Sequence, residues 1–252
     1  MIFLHGFSGS AEEWKDFFNQ IDTNYLPLSI DLTGHGKSSA PAEIKYYTVE
    51  SLKKVLFNII NYFKFEKIVL AGYSLGGRLA LSFAVQYPEL IEKLILESAT
   101  AGIKSEAGRI ERIEQDEKLA AFILENGIGR FVEYWLSLPL FDTLKNIPAE
   151  KYEHLKSIKL MNNKTGLANM LKGFGTGKMP PLWNRLDNFT NPTLLITGGS
   201  DKKFTAINQE MAKSFPNAYH KIVLGSGHNV HIEKSEDFII LVNGFLSKKQ
   251  GE

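Results

Sequence analysis

Gly72-Tyr73-Ser74-Leu75-Gly76-Gly77 follows directly on the apolar run Lys67–Ala71 and opens a helical pattern. A Gly-x-Ser-x-Gly set between strand and helix marks a sharp turn that strains the backbone of its Ser, so small residues are needed two positions to either side. The Ser oxygen is then exposed, with the positive end of the helix beneath it. By itself the five-residue pattern fits a structural turn equally well; the strand–turn–helix setting is what marks Ser74 as reactive. Two partners are then required downstream, an acid followed by a His. The run Thr193–Thr197 ends in Gly198-Gly199-Ser200-Asp201, and the run His220–Leu224 is followed by Gly225-Ser226-Gly227-His228. In the order Ser74, Asp201, His228, the acid fixes the imidazole tautomer and the imidazole takes the proton from Ser74. Glu97, also at a strand end, is the rival acid. Asp201 is preferred because it sits in the loop after the penultimate strand.

Outward from this motif, short apolar runs alternate with longer helical patterns. Strands are expected at Ile2–Leu4, Leu26–Ile30, Lys67–Ala71, Lys93–Leu96, Thr193–Thr197 and His220–Leu224. Most are apolar throughout, as strands covered on both faces of a parallel sheet are. Thr48 reads as the N-cap of a helix with Val49, Leu52, Leu56, Ile59, Ile60 and Phe63 on one apolar face. A last helix is expected over Ser235–Leu246. The alternation is that of an α/β fold with a mainly parallel sheet. It breaks between Ala101 and Leu186, where helical patterns (Ile110–Glu125, Gly129–Ser137, Ala149–Met161, Leu167–Lys172) occur without a convincing strand. The expected organisation is therefore a core from 1–100, a helical cap from 101–186 and a second part of the core from 187–252. Such a cap would cover the carboxyl edge of the sheet, where open α/β sheets bind ligands.

Composition narrows the function. In 252 residues, 29 Lys and Arg balance 28 Asp and Glu, which excludes the large single-sign field of a general nucleic-acid binder. There is no cysteine, which removes disulfides, Cys-ligated zinc and a Cys nucleophile and fits a reducing cytoplasm. No apolar run reaches the roughly 18 residues of a membrane span, and the first residues lack the basic region of a signal peptide. The near-zero net charge is an average: residues 101–153 hold seven Lys/Arg against ten Asp/Glu, and residues 154–186 hold six Lys/Arg and no acid. Either this basic stretch is a solvated lysine face, or it meets an anionic ligand.

His5-Gly6-Phe7 follows the first strand, where folds of this kind place the second oxyanion-hole amide. The backbone N–H groups of Phe7 and Leu75 are assigned to that hole. His5 itself reads as structural, and Asp31-x-x-Gly34-His35-Gly36-x-Ser38 as a tight turn over the sheet edge. His154 and His220 read as surface or packing residues, while His231 either packs or lines the site. Trp135 and Trp183 are equally compatible with core and with pocket.

These residues resemble the α/β-hydrolase superfamily over nearly the whole chain. Further segments resemble one family within it, the 2-succinyl-6-hydroxy-2,4-cyclohexadiene-1-carboxylate (SHCHC) synthases, or MenH family, of menaquinone biosynthesis. They are Leu4-His-Gly-Phe-Ser-Gly9, Gly72-Tyr-Ser-Leu-Gly-Gly-Arg78, Glu97-Ser-Ala, Trp135-x-x-x-Pro139-Leu-Phe141, Gly173-x-Gly-Thr-Gly177 with Pro181-x-Trp183, and Gly227-His-Asn-Val-His231. The resemblance implies a lyase rather than a hydrolase, one that removes a proton from a cyclohexene substrate and expels pyruvate. Ser74 would act as a base relayed through His228 without an obligatory acyl-enzyme, and the oxyanion hole would hold enolate-like charge. No metal or organic cofactor is implied. The implied partner is a small anionic substrate with several carboxylates, bound by Arg78, Tyr73 and Trp135; protein partners are left open. The sequence departs from the family where an Arg is expected before Asn162-Asn163, since Lys159 stands there. Lys keeps the charge but not the bidentate fork. A second expected cap Arg has no secure counterpart around Asp116–Lys118.

The family also has a strand hairpin before its His-Gly strand, and this sequence begins almost on that strand. Either the sheet lacks its first two strands or the start codon has been assigned too late; the second is preferred, and an exposed sheet edge is expected. The alternative functions are a serine esterase or carbon–carbon bond hydrolase with the same triad, and a ligand receptor retaining the fold. A receptor would not need all three triad residues.

Overall fold

A computed structural model describes residues 1–248; the last four residues of the expected 187–252 segment lie outside the described residues. Six strands form one sheet: β1 (Ile2–Leu4), β2 (Leu28–Ile30), β3 (Ile68–Tyr73), β4 (Ile91–Glu97), β5 (Thr193–Gly198) and β6 (Ala218–Val223). Every neighbouring pair is parallel, in the order β2-β1-β3-β4-β5-β6. β1, β3 and β5 are buried along their whole length, as their continuous apolar runs require. The edges differ: β2 is half-buried, and β6 exposes Lys221 and Ile222. β2 starts at Leu28 rather than at Leu26, after Pro27, which has no N–H to give the ladder. β6 starts two residues before the expected His220.

Helices cover both faces. On one side lie α1 (Val49–Tyr62) and α2 (Leu75–Gln86); the Thr48 hydroxyl accepts from Ser51 N–H and caps α1, which buries Leu52, Leu56 and Ile60. α6 (Lys202–Ser214) follows β5. On the other side, α8 (Ser235–Leu246) packs Phe238 and Val242 with Trp14 and Phe17, and the four-residue α7 (Val230–Glu233) precedes it. Between β4 and β5 the chain forms α3 (Glu106–Leu136), α4 (Ala149–Leu160) and α5 (Lys164–Phe174) and no strand. The two patterns expected on either side of Gly129 join as α3, broken only at Gly127, whose φ of 78° and ψ of 175° are non-helical. This insertion has its own apolar core of Ile123, Phe131, Leu144 and Leu167, into which Phe7 reaches from the loop after β1 and Ile232 from α7. No helix among the described residues is long and apolar enough to cross a membrane.

The β3–α2 connection positions everything that follows. Ser74 takes φ 50° and ψ −105°, a region that L-residues avoid. The turn is this tight because α2 lies against the ends of β1 and β3. A Cβ at Gly76 would fall 2.3 Å from the Leu4 carbonyl oxygen, and one at Gly72 would fall 2.5 Å from the Gly76 backbone. Both contacts are with backbone, which cannot swing aside. Gly76→Ala is expected to lower stability by about 3 kcal/mol or more, read as the shift in a urea or thermal unfolding midpoint. A midpoint equal to wild type would show that α2 can move off β1 without penalty.

Candidate active site

Three side chains from three loops meet above α2. His228 Nε2 lies 3.1 Å from Ser74 Oγ, and His228 Nδ1 lies 2.6 Å from Asp201 Oδ2. Asp201 is fixed in turn, because its other oxygen accepts the Phe204 N–H at the start of α6. The imidazole is boxed by Phe204, Tyr73 and Phe141. Glu97, the rival acid, faces elsewhere. Its two oxygens take the backbone N–H and Nδ1 of His231, at 3.0 and 2.7 Å. His231 therefore does not line the site; it is fully buried and stacks on Trp14 at 4.2 Å.

The two amides expected to form an oxyanion hole are open. Among the described residues, neither the Phe7 nor the Leu75 N–H donates to a protein acceptor, and both residues line the cavity above Ser74. Leu75 is the first residue of α2, so its N–H is one of the helix's free donors. Phe7 lies in a turn closed by Gly9 N–H donating to the Gly6 carbonyl at 3.1 Å. His5 Nδ1 lies 2.7 Å from the same carbonyl, while its Nε2 accepts the Leu32 N–H. The Gly6 carbonyl and the Phe7 N–H share one peptide plane, so these bonds orient the donor. His5 is structural, as expected, with a direct bearing on the site.

The cavity between the sheet edge and helices α3–α5 measures about 550 Å³, within the range of small-molecule sites. Tyr73, Arg78, Trp135 and Lys159 all line it, as do Arg112, Lys202 and Lys203. Five cations thus face one carboxylate, that of Asp201. Arg78 is buried on the first turn of α2; it donates to the Phe174 carbonyl and lies over the Phe174 ring. Burial first, and then the neighbouring Arg112, pull its pKa down to about 9, with Asp116 opposing. It stays charged at neutral pH, and an anion in the cavity would relieve its isolation. Lys159 is buried beside Glu13 Oε1, 3.8 Å away. Burial lowers the Lys159 pKa while Glu13 opposes, and burial raises that of Glu13 while Lys159 and then His231 oppose. Burial also raises the Tyr73 pKa, which keeps the phenol neutral.

The cationic lining departs from the expected source. Of the six cations in 154–186, only Lys159 reaches the cavity. Arg112 lies one helical turn before Asp116, to which its Nε donates, and supplies a cap cation to the cavity from outside the Asp116–Lys118 stretch. Lys202 and Lys203, just after the acid, also escaped notice, as did Glu13. Only the proximity of Lys202 and Lys203 to Asp201 could have signalled them. Trp183 is a packing residue, its Nε1 donating to the Gly102 carbonyl, whereas the Trp135 Nε1 is buried without a partner among the described residues. Among the described residues no group of three or more His, Cys, Asp or Glu is placed to hold a metal ion.

The geometry is that of an α/β-hydrolase site, and residues 1–235 match the family described as alpha/beta hydrolase fold. The chain belongs to the α/β-hydrolase superfamily. A Bacillus subtilis (strain 168) protein provisionally named 2-succinyl-6-hydroxy-2,4-cyclohexadiene-1-carboxylate synthase is 43% identical over 98% of this chain and 90% of its own length. The synthase of that name from Enterobacter sp. (strain 638) is 31% identical over 92% of this chain and 86% of its own. The solved structure of MenH from S. aureus superposes with a TM-score of 0.94 at 36% identity, covering 97% of this chain and 92% of that one. Within the superfamily, this chain belongs with these synthases.

Two buried histidines behind the Phe7 turn carry a pH signature. Burial pushes the His5 pKa down to about 4, against the Gly6 carbonyl. His35, whose ring lies 5.0 Å from that of His5, is pushed down to about 3 by burial and then by His5. The folded chain keeps both neutral, whereas the unfolded chain protonates them below about 6.5. Their contribution is complete above pH 6.5 and is lost as pH falls, by about 2 kcal/mol each between pH 6.5 and 5. Glu13, with its raised pKa, acts with the opposite sign. The urea midpoint should therefore fall from pH 7 to pH 5 more steeply in wild type than in His35→Asn. Equal slopes would show that His35 is protonated in the fold.

Proposed function

We propose that this protein is a carbon–oxygen lyase of menaquinone biosynthesis. It eliminates pyruvate from 2-succinyl-5-enolpyruvyl-6-hydroxy-3-cyclohexene-1-carboxylate to give 2-succinyl-6-hydroxy-2,4-cyclohexadiene-1-carboxylate. One observation carries the reading: a hydrogen-bonded Ser74–His228–Asp201 chain opens onto a cavity lined by five cations and one carboxylate. The names of the synthases that the chain resembles support the same reading. A substrate with several carboxylates suits that lining, and no metal or organic cofactor enters the chemistry.

His228 draws the Ser74 proton, and Ser74 Oγ removes a proton from the ring carbon that is acidified by the succinyl carbonyl. The electron pair delocalises onto that carbonyl as an enolate-like charge, facing the Phe7 and Leu75 N–H groups. Collapse of the enolate forms a double bond between ring carbons 2 and 3, moves the 3,4 double bond to 4,5 and breaks the carbon–oxygen bond from carbon 5 to the enolpyruvyl group. The leaving enolate is protonated to pyruvate, and the proton held by Ser74 and His228 is available for it. Asp201 orients the imidazole and stabilises its charged form. Arg78 and Lys159 bind carboxylates, while Tyr73 and Trp135 shape the wall. Arg78 has most of its five donors uncommitted, since one is given to Phe174.

The decisive experiment supplies the enolpyruvyl-cyclohexene substrate and follows pyruvate release beside cleavage of p-nitrophenyl esters. Fast pyruvate release with negligible ester turnover is expected; the reverse makes the protein an esterase. Ser74→Ala and His228→Ala should each lower kcat by about 100-fold or more. A near-normal rate in either variant removes the relay. Arg78→Ala should lower kcat/KM by about 10- to 100-fold, the worth of a charge-assisted hydrogen bond of about 1.5–3 kcal/mol. Unchanged kinetics would place the carboxylates elsewhere.

A further inference from the structure

The turn that carries the Phe7 N–H is held from the cap. Asn162, just beyond α4, donates through Nδ2 to the Ser8 carbonyl at 2.8 Å, and its Oδ1 accepts the Gly36 N–H at 3.2 Å. The same Nδ2 also meets the carbonyls of Ile158 and Lys159 at the end of its own helix. Among the described residues no other group donates to the Ser8 carbonyl. Asn162 is buried and does not line the cavity, so it does not reach substrate.

Ser8 needs such a hold. Its φ is 61°, in the left-handed region, although it carries a side chain that is wholly buried. A non-Gly residue there persists only when its surroundings over-determine it. The Gly6–Phe7 peptide is fixed by Gly9 and His5 at one end of the turn; the Ser8–Gly9 peptide is fixed by Asn162 at the other. We infer that Asn162 is a positioning residue: a cap side chain that sets the backbone of loop 6–9 so that the Phe7 N–H faces the Ser74 oxygen. The docking of the cap would then assemble part of the oxyanion hole as well as cover it. This inference rests on the reading of the Phe7 N–H as an oxyanion donor.

The test compares wild type with Asn162→Ala, Asn162→Asp and Asn163→Ala in full-length protein. Asp keeps the acceptor for Gly36 but turns an oxygen toward the Ser8 carbonyl. Asn163 caps α5 and touches neither loop 6–9 nor the cavity, so its loss reports general loosening of the cap. In the pyruvate-release assay, Asn162→Ala and Asn162→Asp should lower kcat by 10- to 100-fold with KM changed less than threefold. Asn163→Ala should lower the unfolding midpoint with kcat within twofold of wild type. Amide hydrogen exchange at Gly9, whose N–H closes the turn on the Gly6 carbonyl, needs no substrate and should quicken at least tenfold in Asn162→Ala and not in Asn163→Ala. The inference is overturned if kcat stays within twofold in both Asn162 variants, if Asn163→Ala loses as much, or if exchange in the loop is unchanged. A wild type that releases no pyruvate sinks the functional reading instead, while the exchange measurement still decides whether Asn162 holds the loop. Should the Ala variant fail to fold, the Asp variant carries both measurements.

Discussion

The structure depends on one backbone constraint, the left-handed turn at Ser74 wedged between β3 and α2. The turn holds because Gly76 lets the helix backbone touch the Leu4 carbonyl and Gly72 lets the turn fold back on Gly76. That close approach aims Ser74 Oγ away from the sheet and sets the free Leu75 N–H beneath it. It also carries Arg78 one turn further, into the cavity. The same few residues thus bring together a hydroxyl hydrogen-bonded to an imidazole, a free backbone N–H and a cation. The strain at Ser74 is sustained by the surrounding sheet, in which β1 and β3 are wholly buried.

Around this turn the charges are arranged in two layers. The layer facing the cavity is cationic, with Arg78 and Lys159 buried enough that burial weakens their hold on a proton. The layer behind it is acidic: Glu13 stands behind Lys159, and Glu97 pairs with His231. Among the described residues neither Glu13 oxygen has a hydrogen-bond partner, and Lys159 lies 3.8 Å and His231 4.0 Å away. A buried carboxylate at that distance favours the charged form of Lys159 without taking up its donors. A cavity built this way presents an excess of positive charge, with Asp201 the one carboxylate in its lining.

The fold alone does not separate a lyase from an esterase, because many chemistries share it. The distinction rests on what the cavity offers beyond the triad. A lining with five cations, two of them buried, and shaped by Trp135 and Phe141 suits an anion better than a neutral ester. The resemblance to synthases over nearly the full chain points the same way.

The sheet, the helices that flank it, the turn at Ser74 and the order Ser74, Asp201, His228 were legible in the sequence. Each is written in a short stretch whose spacing reports backbone geometry directly: an apolar run, a cap at Thr48, glycines on either side of a Ser. Strand ends were less legible, since Pro27 and the half-exposed edge at β6 shift pairing by two residues. What only the tertiary structure decided was the company each residue keeps. Glu97 and Asp201 both end strands, and only packing shows that His231 takes the first and His228 the second. Arg112 carries no motif, and the basic run of 154–186 sends one side chain of six into the cavity. Glu13 with Lys159, and Asn162 with Ser8, lie about 150 residues apart in the chain. Local spacing determines how a backbone turns, but which charge or amide lies across a cavity depends on how the helical insertion docks. That docking is set by the summed packing of many side chains rather than by any stretch of sequence that can be read alone.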